Sequence, residues 1–397
     1  MMPDVRNLKQ AVMPIIWLNC IFCMGIFEIP INRPRYFLSV FYAISILIGY
    51  FALFYKEFYI FQEEFIQEFM VFYVVLGINV LVAMVTIILF WWKTETMNNT
   101  IKRHSIVDST LEALGIKAEN QKIFRNVLGM IAMWTVGMIL IILTYVGWIW
   151  YQDIGYWTIF CSSISMCFPI LINCVVDLTF ASFIRCVQIK FQKTNTVISN
   201  IVLCANESNA FKTHNQNDNT ALAMATYKDN NDKMMHHIQT IRHLHLEITR
   251  IGQQISCTYC LQLLFESAVH FTMITSTTYC LYGVFSGQLR VTVSNGKIIS
   301  MAVAACVFSF KIIFVNWLCT SVSTEACRTA EILQSFEGSI INDDMREEIR
   351  QFTQQIILNS LNFTAAGFFT INNSLTGKFF ATVTTYVVIL IQMNTSI

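Results

Sequence analysis

Residues 69 to 92 read FMVFYVVLGINVLVAMVTIILFWW, with no charge at any position. A helix rises 1.5 Å per residue, so this run covers about 36 Å, more than the roughly 30 Å of hydrocarbon in a bilayer. The residues are apolar all round and lack the two-residue alternation of a barrel strand, which selects a spanning helix. Six further runs of the same kind follow outward from it: 37 to 55, 127 to 151, 154 to 184, 255 to 285, 298 to 323 and about 376 to 393. Only 13% of the 397 residues are charged and 55% are hydrophobic, whereas soluble chains carry about 25% charged residues. The sequence therefore predicts an all-α polytopic membrane protein with seven transmembrane helices.

Lys and Arg number 26 against 25 Asp and Glu, a balance that gives no electrostatic footing for a nucleic-acid partner. The partner this composition does imply is the lipid bilayer. Thirteen Cys is an odd count and most of them lie inside apolar runs, so a disulfide framework is not expected. Ala11 to Phe27 is apolar but short and interrupted by Pro14. It is read as an interfacial or re-entrant helix, with a full span as the alternative.

The loops set the orientation, because cytoplasmic loops carry the excess of Lys and Arg. Segments 1 to 36, 93 to 126, 185 to 254 and 324 to 375 hold 21 of these residues, and the opposite loops hold only Lys56, Arg290 and Lys297. The N-terminus is expected in the cytoplasm and the C-terminus outside. This is the inverse of a G-protein-coupled receptor, and the chain also lacks that class's acidic-Arg-aromatic triplet after the third span and its Asn-Pro-x-x-Tyr in the last. No internal repeat is visible to favour a transporter built from inverted halves.

The outside loops are too short to form a ligand domain, so any small ligand must enter the bundle. Inside, Val187, Phe191, Ile198 and Val202, then Met235, Ile238, Ile241, Leu244 and Ile248, recur at three- and four-residue spacing. That spacing predicts that spans four and five continue as amphipathic helices, around an Asn/Thr-rich centre (206 to 220) that reads as disordered. Ile332, Leu333, Phe336, Met345, Ile349, Phe352, Ile356 and Ile357 repeat the pattern and should pack against those extensions. Three regions follow: a cytosolic N-terminus (1–36), spans one to six with their long inner loops as a ligand-binding bundle (37–323), and an anchor segment with the last helix (324–397).

Charges within spans are costly and are default functional candidates. They are Asp177, Glu266, Lys311 and Lys378, with His270 beside them. Glu266 and Lys311 both fall near mid-depth, where an ion pair would spare each an unpaired charge; it is either mobile on opening or a static fix of helix register. His236, His237, His243 and His245 lack a metal-ligand pattern and read as a solvated helix face. Cys20 with Cys23 and Cys257 with Cys260 read as core packing. No phosphate loop, nucleophile elbow or H-E-x-x-H is present, so neither enzyme chemistry nor a cofactor or metal is expected.

The C-terminal stretch from Ala365 to Asn394 reads AAGFFTINNSLTGKFFATVTTYVVILIQMN. Its Thr385-Tyr386, five apolar residues and Gln392 resemble the Thr-Tyr-five-Gln-Phe signature of insect gustatory receptors. Gly367-Phe368-Phe369 and Ser374-Leu375 resemble the run leading into it. The resemblance implies a ligand-gated, non-selective cation channel for small tastants in the plasma membrane of chemosensory neurons. It would be a homo- or hetero-tetramer whose last helix lines the pore and whose inner helices form an anchor. An insect odorant receptor subunit, which shares the architecture, is the near alternative.

At 100° per residue, Ala381, Thr385, Val388 and Gln392 fall within about 40° of one line. In a tetramer this stripe would line the pore, with Gln392 amides replacing part of an ion's hydration and Val388 and Met393 as dewetting neighbours. The competing reading of Gln392 is interhelical packing. Met393 stands where the family has Phe, and Asn372 and Asn373 where an acid and a base are common. Val387 stands where the sugar-receptor branch has Glu, which places the chain outside that branch. Lys378 lies about 40° from the Gln392 line and either repels cations or snorkels to the boundary. The family pocket lies in the outer bundle, and the matching depths hold Tyr73, Tyr145, Trp148, Tyr156, Trp157, Tyr279 and Tyr282, with Asn79, Thr275 and Ser276. Trp and Tyr also form interfacial belts.

Overall fold

The apolar runs of the sequence fall in seven long helices of a computed structural model, which describes residues 7–27, 34–65, 70–116, 119–150, 155–214, 221–286, 295–335 and 343–395. In chain order the elements are α1 (Leu8–Ile21), α2 (Tyr36–Phe65), α3 (Met70–Ala113), α4 (Asn120–Trp150), α5 (Tyr156–His214) and α6 (Ala221–Phe285). They continue with α7 (Asn295–Gln334), α8 (Asp343–Leu358), β1 (Thr364–Ala365), β2 (Phe369–Thr370) and α9 (Asn373–Thr395). Among the described residues, six helices are long and apolar enough to cross a membrane: α2, α3, α4, α5, α7 and α9. The C-terminal half of α6 holds the remaining apolar run, diluted by Ser256, Thr258, Gln262, Glu266, His270 and Thr275. Those six polar residues are all buried, so α6 turns toward protein rather than lipid.

α5 is the axis of the bundle. In its most apolar window 72% of residues are buried, against 17% in α2, α4 and α7 and 11% in α9, so the rest of the chain leaves most of the surface of α9 uncovered. The main core gathers Phe180, Ile184, Val187 and Phe191 of α5 with Leu244, Ile248, Ile251 and Tyr259 of α6 and Leu318 and Val322 of α7.

α1 is 14 residues long with Pro14 inside it, about 21 Å and short of a span. Leu8, Ala11, Val12 and Ile15 are buried against Ile123 and Val127 of α4 and Leu178, Cys186 and Ile189 of α5.

The helical extensions expected from the sequence are present, and α5 keeps a helical backbone to His214, past Asn206, where composition predicts disorder; residues 215–220 of that centre lie outside the described residues. Ile198 and Val202, Ile238 and Ile241, Leu333, and Met345, Ile349, Phe352 and Ile356 form one core that joins α5, α6, α7 and α8. Arg242 on α6 fastens α8 with an ion pair to Glu348 at 3.0 Å and a hydrogen bond to Gln351 Oε1 at 2.9 Å.

A two-stranded hairpin, β1 and β2, was not expected. It pairs Thr364 with Thr370 and Ala365 with Phe369 across a turn in which Ala366 (φ 49°) and Gly367 (φ 79°) both take left-handed backbone. Gly meets that demand without a steric cost, and two positive φ values in succession suit the twist of a tight hairpin. Ile371 N–H donates to Phe363 O at 2.8 Å, Leu375 N–H to Asn372 Oδ1 at 3.0 Å, and Asn373 N–H to Thr320 Oγ1 at 2.8 Å. Asn372 and Asn373 thus cap α9 and tie its start to α7, in the place of an acid–base pair.

Candidate functional site

α9 presents two unlike faces. Val383 and Val387 are buried with Ile274 of α6 and Phe308 and Ile312 of α7, because β-branched side chains at i and i+4 make one apolar ridge. Ala381, Thr385, Val388 and Gln392 are exposed on the opposite side, and Met393, one position round from Gln392, is exposed as well. Val388 and Met393 retain 45% and 60% exposure, and a helix embedded in its own bundle would not leave such side chains open. Tyr386 of the signature stands off this stripe, its ring 5.4 Å from that of Phe271 at 87°. Lys378 is also exposed.

The buried charges converge. Lys311 Nζ lies 2.7 Å from Asp177 Oδ2 and 3.6 Å from Glu266 Oε2, and His270 Nε2 lies 4.0 Å from Glu266 Oε2. Sequence depth brings Glu266 and Lys311 together, and the nearer partner, Asp177, comes from the middle of α5. Asp177, Glu266 and His270 also bring ligand atoms within 4.8 Å of one another. The Lys311 ammonium sits beside both carboxylates and supplies the positive charge, so the group is an ion cluster rather than a metal centre. A cavity of about 400 Å³ runs from this cluster between α6, α7 and α9, past Asn316 and Phe271, to Lys378 and Thr382 on α9. Lys378 therefore borders a cavity inside the bundle as well as the exposed surface of α9.

The aromatic residues expected to form an outer pocket do not act together. Tyr156 and Trp157 are 77% and 70% exposed and Trp157 packs on Phe160 at 5.8 Å. Both are exposed, an environment that suits a belt residue as well as the rim of a pocket. Tyr145 shares a hydrogen bond with Ser162 Oγ at 3.1 Å, Tyr279 and Ser276 are half-buried, and Tyr282 is 39% exposed. Asn79 and Thr275 are buried; Asn79 Nδ2 donates to Val75 O at 2.9 Å. The side chains of Tyr73 and Trp148 lie outside the described residues. The 400 Å³ cavity is lined by none of Tyr145, Tyr156, Trp157, Tyr279 and Tyr282.

The histidines divide as well. His236, His237 and His243 are exposed, whereas His245 is buried between Phe191 and Phe352, with ring centroids at 5.0 and 5.6 Å. Its Nε2 lies 3.2 Å from Ala326 O, and burial pushes its pKa down from 6.5 to about 4. The solvated face expected for all four excludes His245, which shares the ridge of Ile241 and Ile248 one turn away on either side. Cys20 and Cys23 are buried, as core packing requires, whereas Cys257 is exposed and Cys260 half-exposed. Outside the spans, Lys190 is buried and forms an ion pair with Asp108, joining α5 to α3.

This architecture has known counterparts. The olfactory receptor OR5 of Machilis hrabei superposes with a TM-score of 0.68 at 12% identity, covering 97% of this chain and 98% of that one. The same receptor in complex with eugenol gives 0.69 at 13% identity. Among curated proteins of Drosophila melanogaster, Gustatory receptor 68a is 31% identical over 149 residues, 36% of this chain and 37% of that one. Gustatory and pheromone receptor 32a is 31% identical over 160 residues, 39% of this chain and 32% of that one. The match spans about a third of the length of these curated relatives. The 7tm Chemosensory receptor family model matches residues 15–396, so this chain belongs to the 7tm chemosensory receptor family.

Proposed function

We propose that this chain is a gustatory receptor subunit that forms a tetrameric, ligand-gated, non-selective cation channel, opened by small tastants, in the plasma membrane of chemosensory neurons. The observation that carries the reading is the uncovered stripe of α9: Ala381, Thr385, Val388 and Gln392 exposed while Val383 and Val387 are buried. Four such stripes around an axis would form a narrow path with small and polar walls and a ring of amides, the kind of surface that exchanges with an ion's hydration. The 21-to-3 excess of Lys and Arg in alternate loops supports an inside N-terminus and an outside C-terminus.

A gustatory stimulus is favoured by the sequence likeness to two gustatory receptors, and the apolar Val387 after Thr385-Tyr386 favours a stimulus outside the sugar-receptor branch. The neighbour's complex with eugenol supports a ligand that is small and largely apolar. Such a ligand would shift the bundle toward an open state only by binding that state more tightly.

The test is whole-cell recording from cells that express this chain alone, across a panel of bitter compounds and sugars, with Gln392→Ala beside the wild type. Tastant-evoked cation current that persists with G proteins blocked, and altered ion selectivity in Gln392→Ala, are expected. Current only when an olfactory co-receptor is added would make it an odorant-type subunit, and loss of the response on G-protein block would overturn the channel reading.

A further inference from the structure

The cavity of about 400 Å³ between α6, α7 and α9 lies within the size range of small-ligand sites. Its wall is mostly apolar, with Leu264 and Phe271 of α6, Ile312 of α7 and Phe379 of α9 in it. Phe271 and Phe379 meet edge-on, with ring centroids 5.9 Å apart and planes at 89°, and together offer an apolar body two aromatic surfaces. One part of the lining is ionic, made of Asp177, Glu266, His270 and Lys311. A few polar groups in an otherwise apolar cleft are what fixes the orientation of a small molecule.

Within the ionic part, acceptors outnumber donors. Lys311 Nζ is 2.7 Å from Asp177 Oδ2 but 3.6 Å from Glu266 Oε2, so Asp177 is its close partner and Glu266 stands beyond hydrogen-bond length. Glu266 is 2% exposed, and neither of its carboxylate oxygens has a hydrogen-bond partner among the described residues; nor has Nε2 of His270, which is 4% exposed. Glu266 Oε2 and His270 Nε2 lie 4.0 Å apart, a spacing that two N–H groups of one ammonium can bridge at ordinary hydrogen-bond lengths. Buried acceptors in that state are ones a donor-bearing ligand satisfies, and a carboxylate bonds most strongly to a charged donor. With His270 neutral, Asp177 and Glu266 against Lys311 leave the cluster one formal negative charge. Lys378, the other cation on the cavity wall, is exposed on α9. Positive charge is therefore favoured at the buried end of the cavity and disfavoured at the exposed one.

We propose that this cavity binds a small protonated organic amine. Its ammonium lies between Glu266 and His270, and its apolar body packs along Leu264, Ile312 and the rings of Phe271 and Phe379. An anion would be repelled by Glu266, a second positive charge on the ligand would meet Lys378, and a neutral ligand would leave the carboxylate without its counter-charge. The site is separate from the outer aromatic residues, since Tyr145, Tyr279 and Tyr282 do not line it. Phe271 also touches Tyr386, so an amine seated here would bear on the packing of α9. That consequence rests on the channel reading above; the binding itself does not.

The experiment measures the thermal unfolding of the full purified chain in neutral detergent, titrated with 2-phenylethylamine, with its neutral counterpart 2-phenylethanol, and with ammonium chloride. The amine should stabilise the chain with at least ten-fold higher apparent affinity than the alcohol, and ammonium, which lacks the apolar body, should have little effect. Glu266→Gln should abolish the preference for the amine while keeping the weak response to the alcohol, a pattern that a general loosening of the fold would not produce. Ser267 also lines the cavity, and Ser267→Phe, which narrows it without changing its charge, should lose most of the response to both compounds. Glu247→Gln, at an acid of α6 that pairs with Arg250 outside the cavity, should lose none. Equal stabilisation by the alcohol, an effect of ammonium as large as that of the amine, a retained preference in Glu266→Gln, a full response in Ser267→Phe, or loss in Glu247→Gln would each overturn the proposal. The readout needs no current, so its failure and the failure of the channel reading are separate results.

Discussion

Phe271 of α6 meets Tyr386 of α9 edge-on, with ring centroids 5.4 Å apart and planes at 87°. The signature tyrosine thus rests one edge of its ring on α6 while remaining 51% exposed. Phe271 follows His270 directly and Glu266 by five residues, so α6 carries both the Glu266–His270 part of the ion cluster and the ring that touches α9. An edge-to-face pair contributes about 0.5–1.5 kcal/mol beyond its buried area, enough to bias a two-state equilibrium several-fold. Phe271→Leu and Tyr386→Leu should each shift the tastant concentration for half-maximal current about three- to ten-fold. The double variant should shift it by less than the two singles together. Additive shifts in that cycle would mean that this contact does not participate in opening.

The Asp177–Lys311–Glu266 cluster yields a stability prediction with an internal control. Removing one partner of a buried pair leaves an uncompensated charge and costs about 3–5 kcal/mol. Lys311→Met strands two carboxylates, 5% and 2% exposed as residues, and should lower the melting temperature in detergent and deplete the protein at the cell surface. The triple variant Asp177→Asn/Glu266→Gln/Lys311→Met removes every charge and should recover much of the loss. A single variant as stable as the wild type would show that water reaches the cluster.

How much of this was readable beforehand depended on contrast. Ile198, Ile238, Ile241, Met345, Ile349 and Phe352 stand out because they alternate with charges in the helical extensions beyond the apolar runs, and all are buried. Inside the spans most positions are apolar, so periodicity cannot tell the lipid face from the protein face; the composition of Tyr156 and Trp157 suits a pocket as well as a belt. The hairpin at 364 to 370 was not readable, since two-residue strands have no period, and Gly367 alone marked its turn. Asp177 was visible as an intramembrane acid, but its partner is more than a hundred positions away in sequence. His245 could have been found: it sits four residues after Ile241 and three before Ile248, on the buried ridge.

That position makes His245 a pH-sensitive element of the packing between α5, α6 and α8. Its pKa in the fold is about 4 against an ordinary 6.5, because burial between Phe191 and Phe352 disfavours the charged ring. Between those values the unfolded chain binds a proton that the folded chain does not, so stability falls as pH drops through 6.5 and levels off below about 4. At pH 5 the loss is about 2 kcal/mol. Thermal unfolding of the purified chain should show that decline, and His245→Leu should flatten this part of it while losing the contact to the Ala326 carbonyl. An unchanged pH profile in the variant would exclude His245 as its source.

The two faces of α9 permit a test of the pore at single-residue resolution. Thr385 and Val388 lie on the exposed stripe, while Val383 and Val387 lie in the core with Ile274, Phe308 and Ile312. If the stripe lines the ion path, a charged, membrane-impermeant thiol reagent should block current in Thr385→Cys and Val388→Cys, faster during tastant application. It should leave Val383→Cys and Val387→Cys unaffected, measured against the wild type, which already exposes Cys257 and Cys306. Lys378 refines the result, because it is exposed on α9 yet borders the cavity that reaches the ion cluster. A ring of four ammonium groups in the path would repel cations, so Lys378→Gln should raise cation conductance if Lys378 faces the pore and leave it unchanged if it faces the cavity. Block in the Val383 and Val387 variants, with none in the Thr385 and Val388 variants, would mean that α9 turns its other side to the ions and that the exposed stripe meets lipid or a neighbouring subunit.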